Sequence, residues 1–391
     1  MRTLVLPLLS TLLLSSCTSE KDPEGPGAQP DSGLEDTGQV PLPEIDDGLA
    51  AELQAIAEST AAQLEAGGVL VGVSMPGFAP YVAAAGMADS GTGEAMTPEH
   101  TSRIGSVTKT FVSAATLQLV DEGLLSLDDT VGDHLDVLAR GDDITVAHLL
   151  NHTSGLRDYT YDSALTGRFA DTHTDDELIA LIADDALASE PGSSFGYTNT
   201  NYVLLGMIIE AVTGQRWDEA IEDRFIEPLG LTDTRAPGGS EGWGETVPGY
   251  IGTLNATAHL HPSLFGASGA MESSAYDQLA WGSAYFSGAL LSAGLHADQL
   301  ASDTVVSNGA IWMRLGLFQW DSAVGGDDPE LWHNGAVNGY ASWLGHGLES
   351  GITVSILANA WLSDAPGSYD FSYPMSVSQE IWSVLGSAGS D

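Results

Sequence analysis

The chain has 391 residues, with 54 Asp and Glu against 11 Lys and Arg, and a formal charge of −43. That balance excludes a nucleic-acid binder, which needs basic surface to displace counterions from phosphate. With 43% hydrophobic residues the chain is a globular protein with an acid-rich surface, not a disordered acidic tail.

At the start, Arg2 precedes an apolar run from Leu4 to Leu14, too short to span a bilayer, followed by Ser15, Ser16 and Cys17. Small residues before a cysteine resemble a bacterial lipoprotein signal. The resemblance implies a signal peptide over residues 1–16, Cys17 as the lipidated first residue, and a protein exported and lipid-anchored at a bacterial membrane, periplasmic or cell-surface. Cys17 is the single cysteine, so no internal disulfide can form. Residues 17–47 scatter Pro23, Pro26, Pro30, Pro41 and Pro43 among Gly and acidic residues, the composition of a linker with a reach of about 30 Å.

From residue 48 to 388 the patterning is that of a folded body. Leu49 to Leu64 reads as an amphipathic helix, and Val69 to Ser74 with Tyr81 to Ala85 as a hairpin. From about residue 97 to 235 the signals are mostly helical, including Val146 to Asn151, Asp175 to Ala188 and Val203 to Thr213. Gly238 to Gly252 reads as a surface loop. Strand patterns return at Arg314 to Trp320, Leu331 to Ala336, Ala341 to Gly345 and Ile352 to Ala358, before a last helix at Ser376 to Leu385. Strands at both ends with helices between them predict a mixed α/β (α+β) fold. An antiparallel sheet is closed by the two chain ends, and a mostly helical domain is inserted in it. A cleft between the two parts is a natural place for a site.

Lysine is nearly absent: Lys21 lies in the linker, and the only one in the body is Lys109. Lys109 lies three residues after Ser106, one helical turn away, and Thr110 to Val120 continues as an apolar helix ended by Gly123. A serine hydroxyl is a weak nucleophile, and a lysine held in a dry cleft can lose its charge and take the hydroxyl proton. The start of a buried helix also offers free N–H groups to an oxyanion. Tyr197 and Asn199 lie in a loop leading into a helix. A phenol beside a lysine cation can have its pKa lowered and shuttle a proton, and an amide can hold a substrate carbonyl. On a predicted strand, His333 precedes Gly335, whose missing side chain lets a ligand lie along the backbone.

In this order, Ser106-x-x-Lys109, Tyr197-x-Asn199 and His333-x-Gly335 resemble the serine β-lactamase and D-alanyl-D-alanine carboxypeptidase (penicillin-binding) superfamily, in its class C-like branch. The phrases His152-Thr153-Ser154-Gly155-Leu156, Pro228-Leu229-Gly230-Leu231 and Ser268-Gly269-Ala270-Met271 extend the likeness over about residues 48–388. The resemblance implies a β-lactamase/transpeptidase-like fold and an acyl-enzyme on Ser106. Lys109 and Tyr197 would share the proton, and the N–H groups of Ser106 and Ala336 would form the oxyanion hole. Asn199, His333, Gly335 and Ala336 would hold a small peptide, β-lactam or ester substrate. No metal or cofactor is implied.

A histidine at position 333 favours a D-alanyl-D-alanine carboxypeptidase-like or related peptide hydrolase. Asn334 and Ala336 stand where the family carries hydroxyl residues that help bind a substrate carboxylate, which leaves room for an esterase or amidase beside a class C-like β-lactamase. A non-catalytic binder of penicillin or wall peptides would not need Ser106, Lys109 and Tyr197 together. His259 and His261 read as loop residues and His152 as a structural hydrogen-bonding residue near the cleft. Trp281 and Trp361 read as core, and Tyr159 and Trp243 as substrate-lining.

Overall fold

The β-branched segments near both chain ends form one sheet. The computed structural model describes residues 41–388 except 302–303, 308–309, 321–327 and 366–367; Cys17 and the expected signal peptide lie outside the described residues. Numbered along the chain, the main-sheet strands are β1 (Gly68–Ser74), β2 (Tyr81–Asp89), β3 (Glu94–Ala95), β4 (Thr304–Ser307), β5 (Ile311–Met313), β6 (Phe318–Trp320), β7 (Glu330–Val337), β8 (Tyr340–Gly347) and β9 (Thr353–Ala358). Their spatial order is β3-β2-β1-β9-β8-β7-β6-β5-β4, and the β1/β9 pair is antiparallel, with Val71 opposite Ile356.

Alternation along β1 sends successive side chains to two different cores. Val69, Val71 and Val73 pack with Leu53, Ile56 and Ile381 of the terminal helices α1 (Asp47–Ala61) and α5 (Pro374–Ala388). Leu70 joins the opposite core with Leu279 and Trp281 of α4 (Ala275–Phe286) and the helical part of the chain. Both faces are covered, so β1 is almost wholly buried. Asp46 caps α1 by accepting from the Leu49 N–H at 3.0 Å. Ile45 is buried in the core beside α1, so the expected linker ends short of residue 47.

The chain leaves the sheet at Thr101–Arg103, which pairs antiparallel with Glu272–Ser274 where it returns. Between them run α2 (Thr108–Asp121) and α3 (Thr200–Thr213). Every residue of α2 from Thr108 to Leu117 is buried, and its polar side chains are bonded internally, as with Thr110 Oγ1 donating to the Val107 carbonyl at 2.7 Å and Thr116 Oγ1 to the Val112 carbonyl at 2.8 Å. Gly214, at φ 74°, ends α3 in the left-handed region.

Three expected elements differ. The helix expected over Asp175 to Ala188 stops at Ala180, because Arg157 Nη2 donates to the Leu181 carbonyl at 3.0 Å while its Nε pairs with Asp185 at 2.6 Å. The strand expected over Arg314 to Trp320 is a turn followed by β6, with β5 lying before it. The stretch Gly238 to Gly252 is not all surface: Val247 and Tyr250 are buried, and Tyr250–Ile251 is a short strand beside Ala360–Ala365.

Candidate active site

Gly105 sets the geometry of the nucleophile. It holds φ at +52°, and a Cβ there would stand 2.7 Å from the Ala336 nitrogen, so only glycine lets the chain turn this close to β7. Ser106 follows in a short 3₁₀ turn, Gly105–Val107, that leads into α2. A Cβ on Gly335 would meet the Ile104 carbonyl and lie 2.9 Å from the Ser106 nitrogen. The turn and β7 therefore bring the backbone of Ser106 and Ala336 side by side, where an oxyanion could sit between two N–H donors.

In the first turn of α2, Lys109 has no solvent exposure. Its Nζ donates to Ser106 Oγ at 3.1 Å, Asn199 Oδ1 at 2.9 Å and the Ser268 carbonyl at 2.7 Å. Burial pulls the amine down to about 7, against the opposing charge of Asp158. Near neutral pH much of it is therefore uncharged, and the contact with Ser106 can reverse, with the hydroxyl donating to the Nζ lone pair.

Tyr197 lines the cleft beside Ser106 and lies with its ring 5.0 Å from Lys109 Nζ. Although the residue is 38% exposed, its hydroxyl end is buried. That burial pushes the phenol well above its ordinary 10, with Ser106 opposing only weakly, the opposite of the lowering expected from sequence. The reason is that the dry surroundings that would have made Lys109 helpful also neutralise it. Tyr197 stays a phenol, able to donate.

Asn199 has both ends of its amide engaged. Nδ2 and the backbone N–H donate to Asp158 Oδ2 at 3.0 and 2.9 Å, while Oδ1 accepts from Lys109. It lines the cleft, but its hydrogen bonds position the lysine and leave little for a substrate amide. Asp158, in turn, is fixed by the Thr160 N–H and hydroxyl at 2.9 and 2.7 Å. Sequence reading passed over Asp158; its only local signal was the Asp-x-Thr spacing of a side-chain-capped turn. It likewise assigned no role to the Ser268 carbonyl.

His333 departs from its expected place among the substrate-binding residues. The cleft is lined by its successors Asn334, Gly335 and Ala336. The histidine lies buried behind them with Nδ1 2.6 Å from the Asn334 carbonyl, its ring 5.2 Å from Phe318, and its pKa drawn by burial down to about 3. His333 shares the buried face of β7 with Gly335, while Asn334 and Ala336 alternate to the other face. His152, also fully buried, accepts at Nδ1 from the Thr198 N–H (3.3 Å) and Asn201 Nδ2 (3.2 Å). It is held at φ 57°, a conformation that costs an L-residue roughly 1–2 kcal/mol.

The cleft over Ser106 has a volume of about 440 Å³. Its walls include Tyr161, Phe265, Phe318, Trp361 and Phe371, with Tyr161 86% exposed at the rim. Trp361, expected in the core, is part of the wall and donates from Nε1 to the Tyr340 carbonyl at 2.9 Å. Tyr159 and Trp243, expected as lining, are elsewhere. Tyr159 is completely buried with its hydroxyl on the Leu264 carbonyl, and Trp243 lies under the Arg103 guanidinium, 4.1 Å from its ring centroid. Trp281 is core, stacked on Phe111 at 3.7 Å. Among the described lining residues Asp158 is the one charged group.

A nucleophile-bearing helix start, a buried amine and a phenol, all against a sheet strand, define a site of the β-lactamase and penicillin-binding type. The profile of the Beta-lactamase family matches residues 53–376, and the chain belongs to that family. It is 39% identical over 154 residues to penicillin-binding protein 4 of Amycolatopsis lactamdurans, a match covering 38% of this chain and 39% of that protein. The chain thus spans about two fifths of that relative's length. Among solved structures, a D-stereospecific amidohydrolase from Streptomyces sp. superposes with a TM-score of 0.71 at 28% identity, covering 85% of this chain and 97% of the other. The D-amino acid amidase of Ochrobactrum anthropi SV3 shares the fold, with a TM-score of 0.78 at 24% identity over 88% of this chain and all of the other.

Proposed function

We propose that the protein is a serine amidohydrolase that forms an acyl-enzyme on Ser106 and cleaves small amides or peptides with no carboxylate beside the scissile bond. The observation that carries this reading is the 3.1 Å contact between Ser106 Oγ and a fully buried amine whose pKa burial has drawn to about 7. Ser106 Oγ attacks the carbonyl carbon as its proton passes to Lys109 Nζ, and the N–H groups of Ser106 and Ala336 receive the oxyanion. The tetrahedral adduct expels the amine, which takes its proton from the Tyr197 phenol. Lys109 then returns the serine's proton to the phenolate. Water, activated by the same base, releases the acid and restores Ser106.

Substrate choice is argued from charge. A carboxypeptidase or β-lactamase must bind a carboxylate, yet the described cleft wall holds no lysine or arginine and faces the substrate with Asp158. An acid there would meet repulsion without a partner. The aromatic walls suit an apolar acyl or leaving group, and the fold shared with two amide hydrolases supports the reading. The test is a fluorophosphonate label, followed by a panel of an aromatic amino-acid amide, nitrocefin, a D-Ala-D-Ala peptide and a short nitrophenyl ester. Labelling of wild type but not Ser106→Ala, with the amide turned over faster than the peptide or nitrocefin, is expected. Equal labelling of both proteins overturns the nucleophile, and preference for the D-Ala-D-Ala peptide overturns the substrate class.

A further inference from the structure

His152 and His333 are two buried bases that the acyl-transfer steps leave unused. Each has one ring nitrogen whose role is fixed by its partner. The Thr198 N–H can only donate, so His152 Nδ1 is a lone pair, and the neutral ring carries its hydrogen on Nε2. The Asn334 carbonyl can only accept, so His333 Nδ1 carries the hydrogen and Nε2 is bare. The two rings are therefore opposite tautomers. Among the described residues neither Nε2 has a hydrogen-bond partner, although both are fully buried.

The two orphan atoms belong to one region. His152 lies 4.2 Å from the Tyr197 ring and 5.3 Å from Tyr202, and Lys109 Nζ lies 5.0 and 5.4 Å from the same two rings. His333 reaches the same place through Phe318, which meets Phe195 at 6.5 Å, itself 6.0 Å from His152. Burial holds both imidazoles neutral. A protonated Lys109 opposes protonation of each, and protonating His333 would further oppose protonation of His152. Of the other ionisable groups here, Tyr197 and Tyr202 are held as phenols by burial, and Asp158 is tied to Asn199 and Thr160. What remains around the Tyr197–Lys109 cluster is a buried donor without an acceptor and a buried acceptor without a donor, the kind of mismatch that a buried water satisfies.

We propose that one buried water joins His152 Nε2–H to His333 Nε2 beneath Lys109, forming a neutral bridge that makes His152 a positioning residue for Tyr197 and leaves Lys109 as the sole acceptor of the Ser106 proton. The backbone strain at His152 is then explained by the placement of its ring, which a relaxed residue would not give.

The first test is nitrogen-15 NMR of the full chain labelled at histidine. His152 is expected as the Nε2–H tautomer and His333 as the Nδ1–H tautomer, both neutral at pH 7. An imidazolium at either position, or the same tautomer at both, overturns the bridge. The second test compares variants by the rate of Ser106 labelling across pH. His152→Asn tolerates the left-handed backbone and keeps an acceptor near Nδ1 but loses the Nε2–H. His333→Leu removes the acceptor, and His333→Gln restores one near Nε2. Labelling about tenfold slower or more in His152→Asn and His333→Leu, with recovery in His333→Gln, is expected. Wild-type rates in both of the first two, or no recovery with Gln, overturn it. This second test rests on the acyl-enzyme reading: a wild type that takes no label sinks that reading, while the tautomers still decide the bridge.

Discussion

Replacing Lys109 by methionine, similar in length but without charge, tests the central electrostatic claim through stability. The folded chain holds this amine at about 7, and the unfolded chain returns it to 10.5. Between those values the unfolded state binds a proton that the folded state does not, so stability from this group is present at high pH and lost as pH falls. The slope is about 1.4 kcal/mol per pH unit, levelling below about pH 7. Lys109→Met has no such proton. It also leaves Ser106 Oγ, Asn199 Oδ1 and the Ser268 carbonyl without their donor, a loss of roughly 1 kcal/mol each that does not vary with pH. Urea denaturation followed by tryptophan fluorescence should therefore show the difference, wild type minus variant, growing by about 3 kcal/mol from about pH 7 to about pH 9. Parallel stability curves would mean that the folded protein keeps an ammonium there, and the general-base assignment would fall with them.

Three further outcomes follow from the geometry. Tyr197→Phe should keep the fold and slow Ser106 labelling by about 10²–10⁴, measured by stopped-flow acylation; a rate within twofold of wild type would remove the phenol from the proton path. Gly335→Ala places a methyl against the Ile104 carbonyl and 2.5 Å from Ser342 Oγ, forcing β7 off the Ser106 turn. It should lower Tm and reduce acylation by about a hundredfold, as loss of an oxyanion donor does. Glu330 is buried, accepts from the Trp320 and Trp343 indoles at 3.1 Å each, and is held up at about 7. Because that folded pKa is raised, wild-type stability should decline as pH rises from about 4.5 to about 7, and Glu330→Gln should remove about 3 kcal/mol of this slope in the same denaturation assay.

Much of the sheet was legible in sequence because β1, β7, β8 and β9 are runs whose alternate residues feed two separate cores, which period-two reading detects. The serine and lysine were legible because a helical turn separates them and lysine is otherwise so scarce. What escaped reading depended on partners distant in sequence. No local pattern announces that Arg157 will intercept the Leu181 carbonyl and end a helix early. Nor could it be seen that Asp158 and the Ser268 carbonyl would surround Lys109 from two other segments. Tyr159 was read as lining because an aromatic side chain in a short 3₁₀ turn carries no periodicity to tell its inside from its outside, while Trp361, on a strand, packs against the core and lines the cleft as well.

The sheet is stitched at its middle by partners from opposite ends of the polypeptide, and the Gly68 N–H reaches Asn359 Oδ1 at 2.6 Å across 291 positions. During synthesis the early hairpin must therefore wait, its hydrogen-bonding edge bare, until Thr353–Ala358 has been made. A premature stop anywhere ahead of the Thr353–Ala358 strand would leave that edge permanently open to a stranger's backbone. Nonsense variants of this gene are thus expected to yield aggregates, not soluble fragments.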